Sequence, residues 1–469
     1  YYDYLCRGLK QEGDPLRKRC FYFLKVYFDF MRISLDPEIE NLRKEILKSR
    51  EKFLSDFNKR YPFPGEFTQE YLSILEEESK KLAKEVEPLM RHLIKLRNQK
   101  AKELGYEGWV DLKFKMYEID REKFESWFNG LKPVISKIFP EVLINLVGKP
   151  QTKMYMQVLP QFKALRGYLE RLHNPVEIIE ATLESIGLTD LQNMEVKYTE
   201  DLPFFGYDFL ISAGKNGRSV ILINLEKIRA SNRYSLKDLL HEYGHVLHDS
   251  NIDTNLSPGL TRWEGFYSAY SEAMANVLGF FAYDKEWVKE FFVVKDSKTN
   301  KPRKLSQEEQ DELMQLIFIS FLRNLRFYML TYEFEKNIYE NPDQDFDKLF
   351  NEIQNEYTTE NFASLVSWTQ RLVFFSSSDE SVYYQNYILS FIVAAQVHAA
   401  LKERFGNIFG DKRIGEFLKQ LYRYGASRPW EEVVEEVTGK PVSADDLIEF
   451  IMRNYQEFFG EAEEDQGGR

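Results

Sequence analysis

Cysteine is scarce in this sequence. Only Cys6 and Cys20 occur among 469 residues, and both lie in the first segment with helical character. Two cysteines cannot supply the disulfide framework on which small secreted domains depend. We therefore expect a protein that is stabilised by its apolar core and works in a reducing, cytoplasmic compartment. The chain begins at Tyr1 and not at a methionine, so a removed leader is the open alternative.

Long apolar runs are absent as well. The longest apolar stretch, Tyr387 to Leu401, is interrupted by three polar residues and is shorter than the roughly 20 residues that span a membrane. This stretch predicts a buried core helix, and we expect no membrane partner.

A surplus of positive charge is also missing. The 63 lysines and arginines are outnumbered by 75 aspartates and glutamates, which gives a formal net charge of -12. Because a surface of that sign repels phosphate groups, nucleic acids and anionic membranes are disfavoured as main partners. A peptide substrate is compatible with it, whereas the oligomeric state has no signature in the sequence.

Most of the chain carries the periodicity of amphipathic helices. Apolar residues recur at helical spacing from Asp36 to Glu103, from Glu118 to Val147 and from Val176 to Ile186. Gly187 stands at a typical helix end. The helical pattern returns after residue 226 and continues to about Phe459.

The pattern changes between Met194 and Glu226. β-Branched and aromatic residues predict three short strands, at residues 195–198, 207–212 and 219–224. Lys215-Asn216-Gly217 predicts the turn of a hairpin. We therefore expect a mainly α fold with one small antiparallel sheet. The last of these strands is also expected to align a peptide by pairing with it as an extra strand.

These patterns divide the chain into three predicted parts. Residues 1–190 form a helical half, and residues 191–459 form a catalytic half that contains the sheet and the motif described next. Residues 460–469 are acidic and rich in glycine, so we expect a disordered tail.

Histidine is rare and unevenly distributed. Only six occur in the chain, and three of them fall within eight residues: His241, His245 and His248. Ser235, followed three residues later by Asp238, predicts a capping box and a helix from Leu236 to His248. Since residues four apart lie on one helix face, His241 and His245 are expected side by side.

The His-Glu-x-x-His pattern that starts at His241 is typical of zinc peptidases. Zinc takes nitrogen and oxygen ligands in a tetrahedral arrangement, so two imidazoles one turn apart can hold one ion. Glu242, turned about 100° around the helix, is expected to act as the general base toward a water molecule. His248 is interpreted as a packing residue or as a residue that supports a metal ligand without binding the ion.

Two downstream glutamates are candidates for the third metal ligand. Glu264 is separated from His245 by 18 residues and lies in a predicted loop. Glu272, separated by 26 residues, opens a helical stretch in which Asn276 follows one turn later. At that position Asn276 can accept a hydrogen bond from a ligand histidine. We prefer Glu272 and keep Glu264 as the alternative.

Separated stretches of the chain are similar to one known family. Residues 381–401 and 425–441 closely resemble the C-terminal part of angiotensin-converting enzyme, and residues 207–226 resemble the region before its zinc motif. Residues 93–118 are similar to the helical region of the same family and of the related thimet oligopeptidase and oligopeptidase F group. The resemblance extends over residues 90–459, and its Ser-Arg-Pro-Trp stretch is the most specific part.

The resemblance implies a helical ellipsoid with a deep central channel that has zinc at its floor and admits only short or unstructured peptides. It supports Glu272 as the third ligand, since Glu-Ala-x-x-Asn is similar to the family's ligand helix, where aspartate stands in place of Asn276. By the same resemblance, Tyr387 donates a hydrogen bond to the oxyanion of the transition state. Tyr384 is then the residue that contacts the substrate's C-terminal carboxylate.

The chain departs from the family at positions that hold the substrate. Phe375 stands where the family has a carboxylate-binding lysine. Ser377 and Pro203 replace two histidines, one that assists the transition state and one that binds substrate, and Asn386 replaces a chloride-binding arginine. We therefore expect a zinc metallopeptidase of the gluzincin type that cuts short peptides as an oligopeptidase. The alternatives are an inactive zinc-containing peptide-binding relative and a strict dipeptidyl carboxypeptidase.

Overall fold

Helices make up most of the structure. The computed structural model describes residues 2–62, 68–147, 159–189, 194–200, 206–212, 218–230, 234–253, 268–358, 368–369 and 377–460. Within these ranges lie 18 α-helices and five short strands. The prediction of a mainly α fold is confirmed.

The elements follow one another in two helical series separated by a small sheet. The first series is α1 (Tyr2–Gln11), α2 (Pro15–Ser34), α3 (Pro37–Arg60), α4 (Gln69–Glu103), α5 (Trp109–Met116), α6 (Arg121–Val147), α7 (Leu159–Glu170) and α8 (Pro175–Ile186). The sheet strands are β1 (Met194–Tyr198), β2 (Gly206–Ser212) and β3 (Arg218–Ile223). They are followed by α9 (Leu225–Arg229), α10 (Ser235–Asn251), α11 (Ser268–Gly279), a 3₁₀ segment (Phe280–Tyr283), α12 (Lys285–Phe291), β4 (Val293–Lys295) and β5 (Pro302–Lys304). The last helices are α13 (Gln307–Glu340), α14 (Phe346–Tyr357), α15 (Tyr384–Phe405), α16 (Arg413–Tyr422), α17 (Trp430–Thr438) and α18 (Asp445–Phe459).

Capping residues start the long helices. The Asp36 side chain accepts hydrogen bonds from the first backbone N–H groups of α3, and Pro37 occupies the first helical position. Thr68 caps α4 in the same way. Ser306 and Glu309 form a reciprocal capping box at the start of α13. These contacts satisfy backbone donors that a helix start otherwise leaves without partners.

The helical segments predicted from the periodicity are confirmed. α3 and α4 cover the first of them, α6 covers most of the second, and α8 covers the third. Gly187 ends α8 with a φ of 77°, in the left-handed region that glycine adopts without strain. Cys6 and Cys20 lie in two helices, α1 and α2, and not in one segment as expected, and both thiols are free.

The three predicted strands form a sheet with the order β1-β3-β2. β2 and β3 pair antiparallel, but β1 pairs with β3 in parallel, so the expected antiparallel sheet is mixed. β1 and β3 run the same way because the chain reverses direction twice between them. Since β3 lies in the centre of the sheet, the two strands are neighbours and pair in parallel. β3 therefore has a partner on both edges and cannot take a peptide as an extra strand, so that expectation is wrong. Residues 215–217, the predicted turn, lie outside the described residues.

A second, two-stranded sheet was not predicted. β4 and β5 pair antiparallel, with Val294 opposite Arg303. Each strand has only three residues, and β5 consists of proline, arginine and lysine. Such a segment carries no alternation of apolar and polar residues, which is the signal by which a strand is identified from sequence.

Two long helices after the sheet, α13 and α15, are unusually apolar. α15 contains the stretch from Tyr387 to Leu401 and is a core helix, as predicted. α13 is long and apolar enough to cross a membrane by length and composition alone, but 67% of its most apolar window is buried within the protein. Residues 461–469, most of the predicted tail, lie outside the described residues.

The predicted helix at Leu236 to His248 is confirmed as α10, but its start differs from the prediction. Tyr234 is the capping residue and makes no capping hydrogen bond with its side chain. Ser235 already lies inside the helix, and its Oγ donates a hydrogen bond to the carbonyl oxygen of Ile228 at 2.8 Å. The capping box predicted for Ser235 and Asp238 is therefore wrong, because the tertiary contact with α9 takes the serine hydroxyl.

α11 lies between α10 and α15 and packs against both. The contact with α10 is made at Gly244. A Cβ atom at this position would lie 2.5 Å from the carbonyl oxygen of Ala275 and 2.7 Å from its Cα. The two helices therefore meet backbone to backbone, and only glycine permits this separation.

Gly244→Ala is expected to lower the free energy of unfolding by about 1–3 kcal/mol, because the added methyl group forces the α10 and α11 backbones apart. Gly167→Ala in α7 is the matched control, since a Cβ there meets no atom of the described residues within 4 Å. That control should raise the free energy of unfolding by about 0.4–1 kcal/mol, because alanine reduces the conformational entropy of the unfolded chain. Urea unfolding measures both variants, and equal effects would contradict the contact at Gly244.

Candidate metal centre and active site

Three side chains from α10 and α11 converge on one point. The ligand atoms that His241, His245 and Glu272 offer all lie within 4.8 Å of one another. The two imidazole rings are nearly perpendicular, with 4.8 Å between their centres. His241 and His245 share a face of α10 because they are four residues apart. The close helix contact then brings Glu272 of α11 against that face.

The arrangement of these atoms fits a metal ion. Oε2 of Glu272 lies 3.1 Å from Nε2 of His241, yet it is buried and has no hydrogen-bond partner among the described residues. With the proton of His241 on Nδ1, the lone pair of Nε2 faces the carboxylate, and a cation between them would offset that repulsion. Two imidazole nitrogens and one carboxylate oxygen are a common donor set for a divalent transition metal.

A chain of hydrogen bonds orients His241. Nδ1 of His241 lies 3.2 Å from Oδ1 of Asn276. Nδ2 of Asn276 donates to Oγ of Ser390 at 2.7 Å, and this hydroxyl donates to the carbonyl oxygen of Tyr387 at 2.7 Å. The amide of Asn276 is thereby oriented with its oxygen toward His241. A histidine that donates through Nδ1 presents the Nε2 lone pair to the centre.

His245 has a partner that the sequence reasoning missed. Its Nδ1 lies 3.1 Å from Oγ of Ser271. Ser271 is buried and immediately precedes Glu272, and this adjacency was the available signal. His248, by contrast, is fully buried and packs against the rings of Tyr270 and Tyr422, each 5.7 Å away between ring centres. These contacts agree with the interpretation of His248 as a packing residue.

Glu272 is held in its charged form although it is buried. Burial is the strongest single influence and by itself raises the pKa of this carboxyl. The proximity of His241, the hydrogen bond from Tyr383 and the charge of Lys237 together outweigh it, so the pKa lies below its ordinary value. Glu272 is therefore an anion at neutral pH and available to a cation.

A cavity of about 340 Å³ opens beside this cluster and is lined by both His241 and Glu242. Its volume lies at the lower end of ligand pockets, which span roughly 300–1,000 Å³. Much of the wall is aromatic, and these side chains come from α13 and from the start of α15: Phe327, Tyr328, Tyr383, Tyr384, Tyr387 and Phe391. The two tyrosines singled out in the sequence therefore face the same cavity as the histidine motif.

Stacking holds Tyr387 in the wall. Its ring stacks on Tyr328, with 5.1 Å between the ring centres, and meets Tyr383 edge-on at 5.2 Å. Burial, followed by the charge of Glu272, raises the pKa of Tyr387 well above its ordinary value. Its hydroxyl is thus a hydrogen-bond donor at neutral pH. Tyr384 meets Phe327 edge-on at 5.6 Å.

The charges on the cavity wall include one that the sequence reasoning missed. Lys237 lies one turn before His241 on α10, and it is the only lysine or arginine among the described residues of the wall. Its Nζ lies 3.5 Å from Oδ1 of Asp238, which also lines the cavity, as do Glu242 and Glu380. One cation therefore faces three carboxylates.

Five further positions singled out in the sequence are not among the residues that line this cavity in the described part of the structure. Glu264, Pro203 and Phe375 lie outside the described residues. Ser377 is fully buried, and its carbonyl oxygen accepts a hydrogen bond from Nη2 of Arg97 at 3.1 Å. Asn386 is also fully buried within α15.

The chain is similar in sequence to known proteins. No protein-family model matches the sequence. The angiotensin-converting enzyme-like protein Ace3 of Mus musculus is 22% identical over 420 residues, which cover 76% of this chain and 54% of that protein. Carboxypeptidase 1 of Bacillus subtilis (strain 168) is 22% identical over 293 residues, which cover 54% of this chain and 56% of that protein. The chain thus spans about half the length of these relatives.

The fold has a match among solved structures. The M32 carboxypeptidase from Deinococcus radiodurans R1 has a TM-score of 0.67 at 14% sequence identity, covering 98% of this chain and 88% of that chain. Together these matches confirm the resemblance inferred from the sequence, and the fold is shared with that M32 carboxypeptidase.

Metal binding is expected to depend on His241, His245 and Glu272. Alanine at any one of them should strip the metal at a chelator concentration that leaves the native protein loaded, because two ligands hold the ion far more weakly than three. Elemental analysis after dialysis measures the metal content. Glu264→Ala is the control and should keep the metal. Loss in Glu264→Ala with retention in Glu272→Ala would identify the third ligand as Glu264.

Proposed function

We propose that this chain is a zinc-dependent peptidase that hydrolyses short, unstructured peptides. The observation that carries the proposal is the convergence of His241, His245 and Glu272 beside a cavity that Glu242 also lines. Two histidines and one glutamate form a donor set found at catalytic zinc, where a fourth position stays open. A buried carboxylate oxygen that has no hydrogen-bond partner within the described part of the chain supports an ion there.

In this proposal Glu242 is the general base. It follows His241 directly and lies about 100° further around α10, so it can reach the cavity beside the ligand face. Bound zinc supplies a Lewis acid that lowers the pKa of water and polarises a carbonyl group. Glu242 takes the proton of the attacking water and passes it to the amine that leaves.

Tyr387 is proposed to stabilise the negative charge that forms on the carbonyl oxygen. Its side chain lines the cavity, its hydroxyl is protonated, and stacking against Tyr328 holds the ring in place. A donor fixed in advance stabilises a developing oxyanion without the reorganisation that water requires. The presence of both Glu242 and Tyr387 on the wall supports catalysis over the alternative of an inactive peptide-binding relative.

Glu242→Gln is expected to keep the fold and the metal but to lose peptide hydrolysis, because an amide cannot accept the proton of the attacking water. The measurement is turnover of a mixed peptide library, followed by mass spectrometry, together with the metal content of the same sample. Asp238→Asn is the control, since it removes a neighbouring charge on the same wall. Full activity of Glu242→Gln would contradict the proposed mechanism.

The position of the cut is a second question, and the charges on the wall favour an oligopeptidase. An enzyme that releases only C-terminal residues has to hold a free carboxylate, which needs a cation to offset its desolvation. Lys237 already lies beside Asp238, and two further carboxylates line the same cavity. The second candidate is a carboxypeptidase. It is favoured by Lys237, the one described cation on that wall, which could bind a substrate's free carboxylate.

Amidation of the substrate decides between these candidates. We expect similar rates for one peptide as the free acid and as the C-terminal amide, with internal cuts, and Lys237→Met should leave this ratio unchanged. A single neutral hydrogen bond from Tyr384 gives a preference for the free acid of about tenfold at most. A much larger loss on amidation, abolished by Lys237→Met, would instead establish C-terminal release.

A further inference from the structure

The two oxygens of the Glu272 carboxylate have different environments. Oε2 faces Nε2 of His241 at 3.1 Å. Oε1 accepts a hydrogen bond from the hydroxyl of Tyr383 at 2.8 Å. Tyr383 is the residue directly before α15, four positions ahead of Tyr387. One carboxylate oxygen thus faces the other ligands, and a phenol holds the other.

We propose that Tyr383 is a positioning residue that keeps Glu272 as a ligand through one oxygen only. The inference rests on the proposed zinc site. With Oε1 occupied by the phenol, the carboxylate cannot rotate to offer both oxygens, and Oε2 stays aimed at His241. A hydrogen-bonded partner of this kind orients a ligand and increases the affinity for the metal.

Packing fixes the ring of Tyr383. Tyr117, the residue directly after α5, meets it edge-on, with 5.6 Å between the ring centres and an angle of 86°. Tyr387 meets it from α15 at 5.2 Å. A ring held between two neighbours from distant parts of the chain directs its hydroxyl along one line. The hydrogen bond to Glu272 therefore costs little additional side-chain entropy.

The backbone before Tyr383 is anchored to the first half of the chain. Arg97 of α4 is fully buried and donates hydrogen bonds to the carbonyl oxygens of Ser377 and Ser378 and to Oγ of Ser381, at 2.9–3.1 Å. The indole N–H of Trp109 also donates to Oγ of Ser381, at 3.0 Å. These contacts tie the segment of residues 377–381 to α4 and α5.

The residue next to Tyr383 is held in an unfavourable conformation. Val382 has a φ of 54°, in the left-handed region that β-branched residues rarely adopt. Its backbone N–H donates to Oε2 of Glu335 in α13 at 3.2 Å, and its side chain is fully buried. Such strain persists only where the surroundings impose it, and it is concentrated at functional sites. The surroundings of Val382 therefore define the position at which Tyr383 enters α15.

Zinc affinity without peptide tests the inference. Tyr383→Phe should weaken zinc binding by about 10-fold to 100-fold, measured by competition with a chelator. In the cobalt-substituted protein, the freed oxygen should raise the coordination number and weaken the visible absorption bands. Tyr117→Phe is the matched control, because it removes a buried hydroxyl from the adjoining ring. It should change neither zinc affinity nor the cobalt spectrum.

Unchanged affinity and an unchanged cobalt spectrum in Tyr383→Phe would overturn the inference, as would equal losses in both variants, which would indicate a packing effect. If Tyr383→Phe unfolds more readily than Tyr117→Phe in the zinc-free state, Ser381→Ala becomes the test. That variant removes the hydroxyl that accepts hydrogen bonds from Arg97 and Trp109 and should weaken zinc binding in the same direction. An unchanged affinity would overturn the inference. A native protein that binds zinc but cleaves no peptide would instead refute the proposed function alone.

Discussion

The backbone contact between α10 and α11 is the constraint on which the candidate site depends. A methyl group at Gly244 would lie 2.5 Å from the carbonyl oxygen of Ala275, so the two helices approach as closely as their backbones allow. α10 supplies two imidazoles on one face, and α11 supplies the carboxylate that completes the cluster. A wider separation would move Glu272 away from both histidines together. The same glycine therefore serves the packing of the core and the geometry of the proposed zinc site.

α15 is the second part of this arrangement, since it connects the proposed ligands to the tyrosines proposed to act on a substrate. Ser390 joins Asn276 to the backbone of Tyr387, and Tyr383 reaches Glu272 from the start of the same helix. Because Arg97 anchors the segment that precedes α15, the first helical half of the chain also determines where these tyrosines lie. α4 and α11 are thus coupled through hydrogen bonds that converge at the start of α15.

Contacts between residues close in sequence could be predicted, whereas contacts between residues far apart in sequence could not. The spacing of His241 and His245 is local, and one turn of helix is enough to place them together. Glu272 was preferred because its own helix also carries Asn276. The contact between Tyr383 and Glu272 spans 111 positions, and no local pattern carries it. The same limit explains the sheet, whose strand order decides that β1 and β3 run parallel, and the start of α10, where a tertiary contact replaced the predicted cap.

X-ray absorption at the zinc edge, on protein loaded with one equivalent of zinc, tests the central claim most directly. The account predicts scattering from two imidazole rings and from light oxygen or nitrogen neighbours at about 2.0–2.2 Å, with no sulfur. His245→Ala should remove one imidazole contribution from the spectrum. Scattering without any imidazole contribution, or a spectrum that His245→Ala leaves unchanged, would contradict a metal centre built on α10 and α11.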